Sequence, residues 1–511
     1  MDGNSEAPQG DDNYFGQPLF DDPKAKALER VGAIDVGSNS VRMVVFDGAA
    51  RSPAYFYNEK IMAGLGEGVS ETGHLNPEGR RRALAALKRF ALLAKGMAVE
   101  PVSCVATAAV RDAIDGPDFC EEVLRETGLA LWVASGTEEA RLSAQGVFLG
   151  WPEAHGLMCD IGGSSMELAE LADGVVGTRA TSQLGPLKLM DVKGGRKGRK
   201  PVIDAGTDAL RDELNQKYDV LYLVGGSWRA IARLDMERRG YPLKVLHEYR
   251  MTSGSVLKTV KWIKGKSVEE LRAITGNSEA RMRLVPIASE VLKSLVQRFK
   301  PNWIATSSYG IREGLLYEQM PFELKRRDPL IEACRYDEAQ NARLPGFGRS
   351  LYAFIKPLFK TAPHARMRLI KAACLLHDVS WRAHPDYRAE VCFDNATRAN
   401  YGGLDHQGRV FLGVALLHRY KNSRDGTHFE ELYDMISPKD LKAAEVLGKA
   451  MRFGAMFSVQ RPELMGELDW RPKKRLLRLT LHPETRDLFG EVARARLKSL
   501  ATSLEATIEV R

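Results

Sequence analysis

One short pattern occurs twice in this chain, and it restricts the fold more than any other feature. Residues 31–47, VGAIDVGSNSVRMVVFD, read as a buried strand, a tight turn and a second strand. Residues 156–171, GLMCDIGGSSMELAEL, repeat that grammar: strand, Asp160, a glycine and serine turn, strand. In each copy the turn offers backbone N–H groups and small polar side chains to an anion, and the glycine lets the backbone come close. Gly37, Ser38, Asn39 and Ser40 supply the first turn, and Gly162, Gly163, Ser164 and Ser165 the second. The aspartate that ends each first strand, Asp35 or Asp160, would repel a phosphate directly, so its expected work is to hold a divalent cation or a water against it. The pair predicts two phosphate loops facing one cleft.

A length of 511 residues allows two to four domains. Residues 1–27, rich in Asp, Gly, Pro and Asn, are expected to form a flexible tail. Residues 28–150 and 151–316 each hold one copy of the loop grammar, and 317–511 turn to helical sequence such as MRLIKAACLLHDVS and GRVFLGVALLHRYK. Within the first domain, NEKIMAGLGEGVSETGHL is expected to cross the cleft as a glycine-rich segment. A helix is expected from Pro77, capped by Asn76. YDVLYLVGGSWRAIARLDM predicts a third strand–glycine turn–helix, a further candidate anion loop. The basic run Lys193, Arg196, Lys197, Arg199 and Lys200 reads as a solvated loop or as an anion-guiding patch. KKRLLRLTLHP, 473–483, predicts a strand near the end.

Net charge is +8, which favours a polyanionic partner without naming it. No apolar run approaches the ~18 residues of a membrane span. The six cysteines lack CxxC spacing and predict reduced thiols in a cytoplasmic protein.

SGTEEARL, 135–142, places Glu138 and Glu139 in the first turn of a helix just after a strand. Acidic residues there stabilise the helix dipole, or one of them is a general base that activates water for attack on phosphorus.

The motifs DVGSNS (35–40), ATAAVRDA (106–113), SGTEEARL, DIGGSSMEL (160–168), VGGSWRAIA (224–232) and YGIREGLLYE (309–318) together resemble the exopolyphosphatase / guanosine pentaphosphate phosphohydrolase family. The resemblance implies two ribonuclease-H-like α/β domains of the actin and sugar kinase superfamily, followed by an α-helical, HD-like domain. It implies Mg²⁺-assisted release of the terminal phosphate from linear polyphosphate, or the same cleavage of guanosine pentaphosphate. A binding protein for guanosine tetraphosphate with weakened catalysis and an ATP-using sugar kinase or chaperone relative are the other readings. The family base falls on Glu139, with Glu138 as fallback. Asp35, Asp160 and Glu139 would serve the metal or the water, Arg111 would neutralise phosphate charge, and the two turns would cradle phosphate oxygens. The resemblance also implies a homodimer, with neither nucleic acid nor membrane as partner. Ser164 stands where the family's DIGGGS has its third glycine, and Asp115 where an asparagine is expected. His377-Asp378 forms an HD pair, but AEVLGKAMRFGAMFS supplies no later aspartate ligand. That pair is expected to be structural, or to line a polyphosphate path, rather than to make a second hydrolase.

Overall fold

The computed structural model describes residues 30–47, 51–99, 102–458 and 460–511. The expected N-terminal tail lies outside the described residues. The chain divides into two compact units, 28–326 and 327–511.

The first unit carries two sheets. In one, β1 (Val31–Val36), β2 (Ser40–Phe46), β3 (Tyr55–Met62), β4 (Val102–Ala106) and β5 (Leu131–Val133) lie in the order β3-β2-β1-β4-β5. β1 pairs antiparallel with β2 and parallel with β4, so a hairpin and a crossover meet at the strand that carries Asp35. Ile34, Val36, Val41 and Met43 on one face, and Ala33 and Val44 on the other, are buried, as expected of strands covered on both faces. The second sheet runs β10-β11-β9-β6-β7-β8. Its members are β6 (Gly156–Ile161), β7 (Met166–Ala172), β8 (Val175–Ser182), β9 (Val220–Val224), β10 (Tyr249–Thr252) and β11 (Trp303–Thr306). Again the central strand, β6, pairs antiparallel with its hairpin mate and parallel with the crossover strand β9.

Helices follow the expected signals. α1 (Pro77–Gly96) opens with the Asn76 side chain accepting from the Gly79 N–H at 2.8 Å. α2 (Gly116–Thr127) turns Phe119 and Val123 inward, and α3 (Gly136–Gly150) carries the double glutamate in its first turn. Two expectations need correction. The cleft-crossing segment starts as strand β3, whose residues are half-buried or exposed in alternation at the sheet edge, so no apolar run announces it. Arg196, Lys197, Arg199 and Lys200 of the basic run lie in the first turns of a helix, α4 (Gly195–Glu213), held inward by Ile203, Thr207 and Leu210, and Lys193 precedes it. Arg199 forks onto Glu290 at 3.2 Å and Lys200 pairs with Asp204.

α5 (Gly226–Arg239) follows β9, and α6 (Glu279–Phe299) packs beside α4 and α5. α7 (Ile311–Gln319) leaves the second sheet and packs on both β1 and α3. The α3–α7 crossing is backbone against backbone. A Cβ on Gly146 would lie 2.2 Å from the Gly310 carbonyl oxygen, and one on Gly314 would lie 1.9 Å from that of Leu142.

The unit 327–511 is mainly helical. α8 (His364–Leu376), α9 (Arg388–Arg398), α10 (His406–Tyr420), α11 (Pro438–Phe457) and α12 (Glu491–Ser503) are its longer C-terminal helices. α10 packs between α9 and α11. A three-stranded sheet, β12 (Gly466–Arg471), β13 (Leu476–Leu481) and β14 (Thr507–Val510), includes the expected strand as its centre. Among the described residues no helix is long and apolar enough to cross a membrane.

Candidate active site

Register builds the site. The four-residue turn after β1 puts Asp35 opposite Arg42, and Arg42 opposite Lys60 on β3. In the second sheet the same turn puts Asp160 opposite Glu167, and Glu167 opposite Thr181 on β8. Gly37 N–H donates to the Ser40 carbonyl at 3.0 Å, and Gly162 N–H to the Ser165 carbonyl at 3.0 Å. The two turns meet: the Ser164 hydroxyl donates to Ser38 Oγ at 3.3 Å.

Between them lies a cavity of about 500 Å³. Asp35, Gly37, Ser38, Asn39, Ser40, Glu139, Asp160, Gly162, Gly163, Ser164 and Ser165 all line it. Of the loop, arginine and glutamate residues singled out from sequence, Arg111 and the fallback Glu138 are off the cavity wall. Arg111 sits behind Glu139, its Nη1 donating to Glu139 Oε2 at 2.6 Å and to the Ala134 carbonyl at 3.1 Å. The two glutamates separate cleanly. Glu138 faces outward onto Arg141 and Arg179, at 2.9 and 3.0 Å. Glu139 turns into the cavity, its side chain 12% exposed. Burial pushes its carboxyl up to about 7, with Asp160 and Asp35 adding to the rise and Arg111 opposing it.

Asp35 and Asp160 are held differently. Arg312 of α7 donates to Asp35 Oδ2 at 2.9 Å, and the Ser143 hydroxyl of α3 donates to Asp160 Oδ2 at 2.5 Å. Burial raises both carboxyls. Arg312 is itself backed by buried Glu313, which accepts from the Tyr55 hydroxyl at 2.6 Å and from Gly310 N–H at 2.7 Å. Gly225 closes the floor at φ 111°, where a Cβ would lie 2.6 Å from the Ile161 carbonyl oxygen and 3.0 Å from Asp160 Oδ1. Only glycine combines that backbone with that approach.

Glu167, Arg42, Lys60, Arg229, Arg281 and Arg312 also line the cavity, and sequence reasoning gave them no role. Glu167 is buried, and its carboxyl is raised by burial, then by Glu139. Lys60 is pushed down to about 8 by burial, then by Arg281, Arg42, Arg312 and Arg229. The cavity is therefore polarised: carboxylates gather around Glu139, and cations gather around Lys60. Arg42 and Glu167 had a readable signal, since each is the antiparallel partner of its loop aspartate across a turn of fixed length. Lys60, Arg229 and Arg281 come singly from separate elements and had none.

The family model of the Ppx/GppA phosphatases matches residues 44–323, and that of the exopolyphosphatase C-terminal domain matches 342–509. The chain belongs to the Ppx/GppA phosphatase family. Exopolyphosphatase 2 of Mycobacterium tuberculosis is 26% identical over 313 residues, covering 57% of this chain and 98% of the relative. Retrograde regulation protein 2 of Saccharomyces cerevisiae is 23% identical over 436 residues, 76% of this chain and 72% of that protein. Among solved structures, an exopolyphosphatase from Cytophaga hutchinsonii matches with a TM-score of 0.53 at 25% identity, covering 57% of this chain and 98% of that one. A Ppx/GppA family member of Aquifex aeolicus matches with a TM-score of 0.50 at 24% identity, covering 57% and 97%, and shares the fold. As a Ppx/GppA phosphatase, the chain has the two-lobed α/β core and helical C-terminal domain that the resemblance implied.

Proposed function

We propose that this Ppx/GppA phosphatase is an exopolyphosphatase, releasing terminal orthophosphate from linear inorganic polyphosphate. The observation that carries the reading is the polarised cavity. One base, Glu139, stands between two anion-cradling turns, while a guanidinium-rich wall faces the body of the chain. The relatives named exopolyphosphatase cover the same unit and support it.

The Ser38–Ser40 and Gly162–Ser165 turns bind the terminal phosphoryl oxygens, and Arg312, Arg229 and Arg42 offset the charge of the next ones. Glu139, raised to about 7, accepts a proton from a water as that water's oxygen bonds to phosphorus. The anhydride P–O bond breaks, and the shortened chain leaves with the electron pair on its oxygen. Arg111 fixes the orientation of the Glu139 carboxylate throughout.

Asp35 and Asp160 each keep Oδ1 free of donors among the described residues. Two hard oxygen donors beside a phosphate suit Mg²⁺, which ordinarily takes one or two carboxylates and completes its shell with waters and phosphate oxygens. No group of three or more His, Cys, Asp or Glu among the described residues makes a protein-only cage. The residues thus fit a Mg²⁺ shared with substrate, which would offset charge on the transferring phosphoryl group. Six free cysteines, five of them buried, support a cytoplasmic setting.

The test is phosphate release from long-chain polyphosphate, guanosine pentaphosphate and ATP, each with and without Mg²⁺. The expected order puts polyphosphate first, with loss of turnover on chelation. Faster release from guanosine pentaphosphate would move the assignment to that substrate, and ATP turnover without polyphosphate turnover would overturn it.

A further inference from the structure

Each of the two turns at the cavity is gripped by a second segment of chain, and the two grips are built alike. The segment leaving β3 donates Gly66 N–H to the Ser38 carbonyl at 2.7 Å, and Ala63 and Gly64 N–H to the Asn39 carbonyl at 3.1 Å each. The segment leaving β8 donates Leu187 N–H to the Gly163 carbonyl at 2.8 Å and Gly185 N–H to the Ser164 carbonyl at 3.2 Å. Ser38 and Asn39 are the middle of the first turn, and Gly163 and Ser164 are the middle of the second. Gly64 and Gly185 therefore hold equivalent places, and so do Gly66 and Leu187. Four residues further along each segment the two touch, the Ser70 hydroxyl donating to Asp191 Oδ2 at 3.4 Å.

Both segments are anchored and neither has slack. Ala63 and Leu65 are buried in the first lobe, and Leu184 and Leu189 in the second. Asn76 N–H donates to the Leu65 carbonyl at 3.1 Å, which ties the first segment to the start of α1. A Cβ on Gly66 would lie 2.7 Å from Ser38 Cβ, and one on Gly185 would lie 2.2 Å from the Ser164 carbonyl carbon.

The consequence lies in the peptide plane. In a trans peptide the C=O and the following N–H point in opposite directions. Tying down the carbonyls of Ser38, Gly163 and Ser164 therefore aims the N–H groups of Asn39, Ser164 and Ser165 the other way. Among the described residues those three N–H groups donate to no acceptor, and all three residues line the cavity. Backbone donors in folded chains are almost always paired with protein, water or ligand, and converging ones attract an anion.

We propose that segments 63–66 and 185–187 are positioning straps: by holding three turn carbonyls away from the cavity, they fix Asn39, Ser164 and Ser165 N–H as the donors to a phosphoryl group. This rests on the reading of the turns as phosphate cradles.

The test is amide hydrogen exchange on the full chain with and without inorganic phosphate, read on peptides covering the turns, 37–40 and 162–165, and the straps, 63–66 and 185–187. At phosphate about ten times its dissociation constant, exchange is expected to slow about tenfold in all four. Protection of the turns with the straps unchanged overturns the proposal and leaves the cradles standing. Protection in neither turn removes the cradles and the straps with them. Gly66→Ala and Gly185→Ala are each expected to raise KM for polyphosphate and to weaken inhibition by orthophosphate, both about tenfold. The rise of kcat with pH up to about 7 should persist, because Glu139 is carried by α3. A lower melting temperature with both constants unchanged would make the straps structural only, which also overturns the proposal. If either variant fails to fold, the exchange pattern of the parent decides.

Discussion

The Asp35 hairpin and the Asp160 hairpin are the same object with opposite charge. Register, turn length and the closing hydrogen bond coincide, so Asp35 faces Arg42 where Asp160 faces Glu167. One strand further out, Lys60 answers Thr181. The tethers differ as well: a guanidinium holds Asp35, and a hydroxyl holds Asp160. Geometry was kept in both copies, and a single facing position on each hairpin set the sign of its side of the cavity. A symmetric cradle became a directional one, with a cationic wall on one side and an acidic end on the other.

The largest expected effect lies outside both hairpins, at Glu139, the proposed base. Glu139→Gln should lose ~10²–10⁴-fold in turnover while retaining polyphosphate binding. In the parent, the rate should climb about tenfold per pH unit below about 7 and level off above it, because the base works only when ionised. That limb should vanish from the residual activity of Glu139→Gln; its survival there would transfer the titration to Glu167 and the second hairpin.

The tethers come next. Arg312→Met leaves the half-buried Asp35 without its ion pair, at a cost approaching the about 3–5 kcal/mol of a broken buried pair. Ser143→Ala removes one hydrogen bond to a carboxylate, about 1.5–3 kcal/mol. Denaturant titration of the two variants should rank them in that order, and the reverse order would mean that Asp160 is the more heavily loaded aspartate. The facing residues should then split kinetically. Arg42→Gln should raise KM about tenfold with kcat little changed, and Glu167→Gln should lower kcat about tenfold with KM little changed. If both move the same constant, the cavity is not directional. The smallest effect belongs to Ser164→Gly. It trades one hydroxyl contact with Ser38 for a bare glycine and should change stability by no more than about 0.5 kcal/mol, read from the same titrations.

Legibility followed locality. Both loop turns, the α3 start at Glu138-Glu139 and the Asn76 cap rest on contiguous residues whose spacing states its own geometry. β3 was missed because an edge strand with alternating half-exposure carries charged residues and no apolar run. α4 was read as a loop because glycines and cations open it, while the residues that anchor it lie further on. Glu138 and Glu139 could not be told apart in sequence, since helix-dipole stabilisation suits both. Tertiary partners decided it, Arg179 on one side and Arg111 on the other. The cationic wall is assembled from β2, β3, α5, α6 and α7, one residue from each, and long-range convergence of that kind leaves no periodicity to read.

The glycine contact between α3 and α7 has a consequence for how such a chain can diverge. One helix carries Glu139 near its start, and the other carries Arg312. A methyl group at position 314 would touch neither ligand nor water, yet it would wedge the two helices apart at their fulcrum. Drift should therefore enlarge surface loops freely while a β-carbon at 314, a position with no chemistry of its own, silences the protein.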